Sequence, residues 1–536
     1  MKEQTYDLAI VGSGFAGSVL ALIARRLGYS VVLIERGSHP RIVIGESTTP
    51  LTNLFLEALA DRYHLPEIRA FSKWGTWQSA HSEVACGLKR GFSFFHHDRN
   101  ESHADLSRDQ QLLVAASPHD AIADTHWYRA DFDEYLMHAA VQAGAQYFDC
   151  VHLHEFVDEE SSVRLRGVRF FPETASASES VEFRARFVID ATGPRGFLHQ
   201  ALQLGEQTLP DMPPTQALYS HFKNVGRLAD TLSTEGPPPY PIDDAAVHHI
   251  FPGGWIWVLQ FNNGITSAGV ACTDEAAAQL NIPQSNGDQP QLAAVWQNLL
   301  DRIPALRRQF VNAEPIRPFT QIQRLSFRSA QITGRNWALL PSAAGFVDPL
   351  LSTGFPLTLL GVQRFAAILE QGLDAPDLAS RLQIYAAQTD ADLLAAARLV
   401  AALYASMDNF PPFTSLTMLY FAAVSYAETA HRLGKPHLAS SFLLHDDPHY
   451  GPAMQSLLAR SRNVRTPEES AAFSEDVRQA IDPINVAGLA VPTRRNWYPV
   501  AADDLLNNAH KLQATREEIE NLLDRCGFRT PTGVDL

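Results

Sequence analysis

Gly12-Ser13-Gly14-Phe15-Ala16-Gly17 has the G-x-G-x-x-G spacing that brings a backbone against a pyrophosphate. Gly12 permits a tight turn, Gly14 admits the phosphates, and Gly17 lets a helix pack close to the preceding strand. Phe15 and Ala16 open that helix, whose first N–H groups and positive dipole end attract anionic oxygens. Glu35, 21 residues after Gly14 and followed by Arg36, is placed to accept hydrogen bonds from ribose hydroxyls. Further along stand a small polar loop, Gly45-Glu46-Ser47, an arginine at Arg129, the turn Asp190-Ala191-Thr192-Gly193, and Gly345 with Asp348. Lys89 precedes Phe92 and Phe94, and Trp255 and Trp257 alternate along one stretch. A lone lysine at a strand edge is most often a solvated surface group, and a small polar loop is most often surface. The functional reading of each stays open on these residues alone.

The elements that must hold these groups can be read in order. Leu8 to Val11 is an apolar run expected as a buried parallel strand, followed by a helix to about Leu27, Gly28 as its C-cap, and a second strand over Val31 to Ile34. This strand–turn–helix–strand context is what gives the glycine spacing its meaning. Residues 84–98 suggest a strand, with Lys89 just ahead of its aromatic part. Asp131, with Glu134 three residues on, is the expected N-cap of a helix. Two strands are expected around Tyr147–Leu153 and Ser162–Phe171, and Phe187 to Gly193 as a buried strand ending in a small-residue turn. His248–Phe251, Trp255–Phe261 and Thr266–Cys272 alternate like antiparallel strands. Ala338 to Pro349 reads as strand, turn and helix start. Beyond Ala366, three- and four-residue periodicity marks helices through Ala391–Tyr404, Leu416–Leu433 and Glu517–Leu523, separated near Pro411–Pro412 and Pro483. The expected class is α/β: a Rossmann-like dinucleotide-binding domain from residues 1–200 and 325–370, an antiparallel β-sheet substrate layer from 201–324, and a helical C-terminal region from 371–536.

Composition narrows the partners. The 536 residues carry a net charge of −16, which disfavours a nucleic acid. Four widely spaced cysteines with no C-x-x-C suggest neither a metal site nor a disulfide framework, and fit a reducing, cytoplasmic setting. The longest apolar run, Leu416 to Tyr426, is too short to span a bilayer. The chain enters its first strand at once, so no signal peptide is expected.

Taken together, the ordered motifs resemble the flavin-dependent halogenases of the tryptophan- and phenol-halogenase kind, within the para-hydroxybenzoate hydroxylase-type FAD oxidoreductases. The resemblance covers about residues 5–370. Trp255 and Trp257 match the family's W-x-W-x-I-P, with Leu259 for Ile and Gln260 for Pro. Lys89 to Phe94 matches its K-x-x-x-x-F, and Ser352-Thr353-Gly354 its S-T-G turn after Asp348-Pro349-Leu350. Two positions depart: Leu351 stands where tryptophan halogenases have Glu, and Pro341-Ser342 replaces Gly-Asp or Gly-Asn.

The resemblance implies noncovalent FAD, supplied as FADH2 by a separate NAD(P)H flavin reductase, and a halide, chloride or bromide, at the N–H groups of Thr353 and Gly354. It places Gly45-Glu46-Ser47 beside the isoalloxazine and ribityl chain, Arg129 toward the cofactor phosphates, and Gly345 and Asp348 beside the ribityl chain. Asp190 and Gly193 mark the return of the chain to the nucleotide sheet. O2 and halide would yield hypohalous acid. Trp255 and Trp257 would screen the organic substrate from the flavin, and Lys89 would carry the halogen to it. An ammonium there could hydrogen-bond the oxidant and a neutral amine could form a haloamine; burial favours the neutral form. Leu351 directs the expected substrate toward a phenol, pyrrole or indole-like ring, free or carrier-tethered, and away from free tryptophan. The alternatives are an FAD monooxygenase or geranylgeranyl-reductase-like oxidoreductase without halogenation, a flavin-binding protein without catalysis, and a nicotinamide dehydrogenase.

Overall fold

Val31-Val32-Leu33-Ile34 is buried on both faces, as a strand inside a parallel sheet must be. It pairs in parallel with Thr5–Val11, which pairs in parallel with Ser178–Asp190. A computed structural model describes residues 5–97, 106–171, 178–232, 235–284 and 287–528. In it, seven strands form the first sheet. Gln146–Phe148 flanks Val31–Ile34, and Trp337–Leu339 adds in parallel to Ser178–Asp190. Val163–Phe170 and Val151–Asp158 extend it antiparallel. The parallel strands end together near Val11, Ile34, Asp190 and Leu339, so the loops that follow them gather at one edge, where open α/β sheets bind ligands.

A nine-stranded sheet lies over this edge. Its middle is the antiparallel run Thr215–Lys223, Thr266–Thr273, Gly254–Gln260 and Ala246–Phe251. Gly91–His96 and Gln111–Ala115 continue it, the former in parallel with Ala246–Phe251, and Trp497–Tyr498 from the far C-terminus closes it. The sheet therefore draws on three stretches of chain. Lys89 belongs to neither large sheet. It ends the short strand Cys86–Lys89, which pairs antiparallel with Asp124–Trp127.

The C-terminal region is helical, with long helices Leu378–Tyr404 and Phe410–Arg432 and shorter ones to Arg516–Arg525. Pro411 and Pro412 sit in the first turn of Phe410–Arg432 rather than between helices, where their missing N–H groups cost nothing. Leu416, Leu419, Leu399 and Leu523 pack in the same apolar core as Leu8, Ile10 and Leu33, so these helices complete the core instead of forming a separate one. No helix among the described residues is long and apolar enough to cross a membrane.

Candidate active site

The glycine loop is built as its spacing requires. Gly12 has φ +102°, and a Cβ there would stand 2.7 Å from Ala191 O. A Cβ on Gly17 would stand 2.0 Å from Gly12 O, so strand and helix touch through hydrogen. Gly14 is different: a Cβ would meet side chains and no backbone, the guanidinium nitrogens of Arg41 at 3.3 Å and Arg129 at 3.6 Å and, behind them, Asp133 Oδ2 at 3.7 Å. Two cations thus face the N-terminus of helix Phe15–Arg26, beside Phe15 and Ala16. Arg129 is held by bidentate bonds to buried Asp133, both 2.7 Å, and donates to Gly45 O at 2.9 Å. Its helix begins at Arg129 with Tyr128 as the residue before it, three residues ahead of the expected start. Asp131 is not the cap; its carboxylate accepts from Ala85 N. Tertiary contact with the glycine loop sets this helix start, which local capping chemistry could not anticipate.

Glu35 accepts from Ser13 N (3.0 Å), Ser13 Oγ (3.1 Å) and Gly37 N (3.0 Å), and pairs with Arg41 at 3.3 Å. Burial raises its carboxyl pKa, but Arg41 and these donors outweigh that and hold it below the ordinary range. It braces the glycine loop from behind. Arg36 is exposed and apart from the cavity. Asp190 is buried and accepts from Thr192 N and Leu198 N, closing the turn whose Gly193 (φ +85°) reaches the cavity.

A cavity of about 480 Å³ runs from Gly14–Ala16 past Gly45–Ser47 and Gly193 to Gly345, Asp348 and Thr353–Gly354. The strand Gly254–Gln260 walls it: Trp255 and Trp257, two apart on one face, are both buried and both line it. Trp257 has room because Gly269 opposite has no side chain; a Cβ there would be 2.4 Å from its ring. Trp255 Nε1 donates to Asp348 Oδ1 (3.2 Å), and Tyr404 OH donates to Asp348 Oδ2 (2.9 Å). Burial pushes the Asp348 carboxyl up to about 6 despite these donors. Glu46 lines the cavity too, paired with buried His221 at 2.7 Å through Oε1, while its Oε2 is buried without a partner among the described residues. Glycine cradle, paired guanidiniums and an unsatisfied acceptor together fit a dinucleotide cofactor with a diphosphate at Gly14.

Next to Thr353, Leu351 and Ser352 hold φ of 64° and 55°, a left-handed conformation rare for branched or bulky side chains. The strained turn starts helix Gly354–Gln371, so the amides of Thr353 and Gly354 open a helix N-terminus at the cavity wall. Tyr420 OH, from the C-terminal region, donates to Leu351 O at 3.0 Å and clamps the turn.

Lys89 is fully buried, not a surface group. Its Nζ donates to Ser47 Oγ at 2.8 Å and to Thr48 O, and lies 3.7 Å from the centroid of Phe92. Directly across the strand pair is Asp124, equally buried, which accepts from Asn53 Nδ2. Burial depresses the Lys89 ammonium well below its usual range, opposed in part by the Asp124 charge; burial raises Asp124, opposed in part by Lys89. Beside them is a second cavity of about 180 Å³, lined by Thr49, Asn53, Phe92, Asp124, Tyr420 and Phe421, among others from the C-terminal segment. Ser47 lines the first cavity and Thr49 the second. Phe92 lines the second and stacks on His248, which lines the first, with ring centroids 5.9 Å apart. Lys89 itself lines neither cavity; it is buried between the two chambers, behind Ser47 of the first and behind Phe92 and Asp124 of the second. Asp124, Asn53, His248, Tyr404 and Tyr420 had no sequence signal, because only the pairing of Cys86–Lys89 with Asp124–Trp127 and the docking of the C-terminal helices bring them here. Among the described residues, no group of three or more His, Cys, Asp or Glu could hold a metal ion.

Comparison with known proteins adds to this geometry. Residues 7–335 match the family described as FAD dependent oxidoreductase. The tetracycline 7-halogenase of Kitasatospora aureofaciens is 29% identical over 429 residues, covering 78% of this chain and 74% of that protein. The monodechloroaminopyrrolnitrin halogenase PrnC of Pseudomonas fluorescens is 29% identical over 69% of this chain, which spans 63% of PrnC. A 1H-pyrrole-2-carbonyl-(peptidyl-carrier protein) chlorinase of Pseudomonas fluorescens is 27% identical over 67% of this chain and 74% of its own. Among solved structures, halogenase PltM in complex with phloroglucinol and FAD superposes with a TM-score of 0.79 at 22% identity, over 91% of this chain and 99% of that one. Flavin-dependent brominase Bmp2 does so with a TM-score of 0.58 at 20% identity, over 89% and 99%. At these identities the two structural likenesses are likenesses of fold.

Proposed function

The chain belongs to the FAD-dependent oxidoreductase family, and we propose that within it the protein is a flavin-dependent halogenase acting on an electron-rich aromatic ring. The observation that carries this reading is Lys89 buried between two chambers, one with a dinucleotide cradle and one lined by aromatic side chains, with Ser47 on one side of it and Phe92 on the other. The relatives described above are named as halogenases, which favours halogenation over an FAD monooxygenase or a geranylgeranyl-reductase-like activity.

Gly12, Gly14 and Gly17, with Arg41 and Arg129, would hold the diphosphate of FAD, and Gly45-Glu46-Ser47 and Gly345 would border its flavin end. Bound and reduced, the cofactor supplies, with O2, the two-electron oxidising power that turns halide into hypohalous acid. The Thr353 and Gly354 amides hold the halide by hydrogen bonds at a positive helix end. Trp255 and Trp257 exclude the organic substrate from the first chamber. Lys89 donates a hydrogen bond to the oxidant's oxygen and makes its halogen more electrophilic; in its neutral form it can instead take up the halogen as a haloamine. The aromatic ring sits in the second chamber against Phe92, Tyr420 and Phe421. The cationic Lys73 and Arg432 there are paired with Glu57 and Glu428, at 2.9 Å for Arg432 to Glu57, which leaves no unpaired cation for a carboxylate among the described residues that line the chamber. A neutral phenol, pyrrole or indole-like ring fits better than free tryptophan, and a carrier-tethered pyrrole is acted on by one relative named above. FADH2 would come from a separate NAD(P)H flavin reductase. The test is mass spectrometry of phenols, pyrroles, indoles and tryptophan incubated with protein, FAD, a flavin reductase, NADH and bromide. Halogenated phenol or pyrrole is expected. Oxygenated product unaffected by halide, or ordinary turnover of free tryptophan, would contradict it.

A further inference from the structure

Two buried side-chain acceptors in the wall of the second chamber have no donor among the described residues, Asn53 Oδ1 and Asp124 Oδ2, and only the second belongs to an ionisable group. Asp124 is buried, its Oδ1 takes the Asn53 amide, and its Oδ2 has no hydrogen-bond partner among the described residues. It lines the chamber, across the strand pair from Lys89. The other charged groups whose fields reach it, Glu428 and Arg432, are tied to each other at 2.8 Å, and Tyr420 OH is committed to Leu351 O. A buried carboxylate oxygen without a donor is costly, so such an atom in a chamber wall selects a ligand that brings a donor.

We infer that Asp124 accepts the O–H or ring N–H of the aromatic substrate and so restricts this enzyme to hydroxy-arenes and N–H heteroarenes. This rests on the proposed halogenase reading and names the substrate feature its second chamber recognises. The chemistry suits the reaction. As the ring carbon bonds to halogen and the halogen–oxygen bond of hypohalous acid breaks, the ring gives up two electrons. Asp124 takes the hydroxyl proton as positive charge builds on the ring. The departing hydroxide, steadied by Lys89, removes the ring C–H proton and becomes water. Asp124 then returns its proton to the oxygen, so aromatic C–H and hypohalous acid become C–halogen and water. Burial raises the Asp124 pKa toward that of a usable base, which supports the role.

The test compares binding and turnover of phenol and its O-methyl ether in wild type, Asp124→Asn and Asp124→Ser. Binding is followed calorimetrically on FAD-loaded enzyme without reductant, and turnover as brominated product. Wild type should favour phenol by about tenfold or more in affinity, and both variants should bring the two ligands within about threefold. Steric exclusion of the methyl would survive Asn, which has the same volume, so an unchanged preference in Asp124→Asn overturns the inference while leaving halogenation standing. Should both variants fail to fold, wild type decides: affinity across para-substituted phenols should rise with phenol acidity, and a flat series overturns it. Flavin oxidation by wild type with no phenol or pyrrole bound or brominated would overturn the halogenase reading, and this inference with it.

Discussion

Replacing Asp348 by Asn should make the protein's stability less dependent on pH, by an amount the site sets. Asp348 accepts from Leu350 N (3.0 Å), Trp255 Nε1 (3.2 Å) and Tyr404 OH (2.9 Å), yet burial lifts its pKa from 3.8 to about 6. Asparagine keeps the acceptor for Leu350 and Trp255, and its amide can donate to a turned Tyr404 hydroxyl. A folded pKa above the unfolded one means that the folded state holds a proton the unfolded state has released. Stability from this group is therefore complete below about pH 4 and is lost as pH rises through about 6. At ~1.4 kcal/mol per pH unit, the loss is about 3 kcal/mol. Urea unfolding of both proteins from pH 4 to 8 measures it. The stability of Asp348→Asn relative to wild type should climb by about 3 kcal/mol across this range and flatten above pH 7. A difference that stays constant with pH would mean that the Asp348 carboxyl is solvated, and the closed junction of Trp255, Asp348 and Tyr404 would be wrong.

Three further outcomes follow from the same geometry. Gly14→Val places carbon where the side chains of Arg41, Arg129 and Asp133 now face the loop; FAD fluorescence titration should find affinity lost by more than about tenfold with the apoprotein fold retained, and normal affinity would remove the diphosphate from Gly14. Arg129→Ala strips the buried Asp133 carboxylate of two 2.7 Å bonds and should cost about 3–5 kcal/mol in unfolding; adding Asp133→Ala should recover part of it. Phe421→Ala, which removes a ring packed 5.2 Å from that of Phe92 in the second chamber, should cost about 3 kcal/mol and widen the range of halogenated products while FAD affinity stays the same.

The sequence exposes what depends on short-range pattern. Val31 to Ile34, the glycine loop and the alternation at Trp255 and Trp257 are local signals, and each sits in the element its pattern implies. The helical periodicity after Ala366 likewise corresponds to real helices. What local pattern could not reveal is where distant segments meet. Nothing near Asp124 marks it as the cross-strand partner of Lys89, and nothing near Tyr420 marks it as the clamp on Leu351. Lys89 itself looks in sequence like an edge residue; it is buried because Cys86–Lys89 pairs with Asp124–Trp127 and its ammonium is covered by Ser47, Thr48 and the ring of Phe92. At Arg129 tertiary contacts prevail over local capping, and the N-cap position falls at Tyr128, three residues ahead of Asp131.

The central claim is that oxidant made in the first chamber is used at Lys89 on the border of the second. Halide-dependent product formation, measured beside flavin reoxidation in wild type, Lys89→Ala and Lys89→Arg, tests it most directly. FAD binding and FADH2 oxidation should stay near wild type in both variants, because Lys89 is outside the lining of the first chamber and meets it through Ser47. Halogenated product should vanish in Lys89→Ala. Lys89→Arg should not restore it, since a planar, permanently charged guanidinium fits neither the space nor the neutral amine's chemistry. Wild-type halogenation by Lys89→Ala would contradict the account.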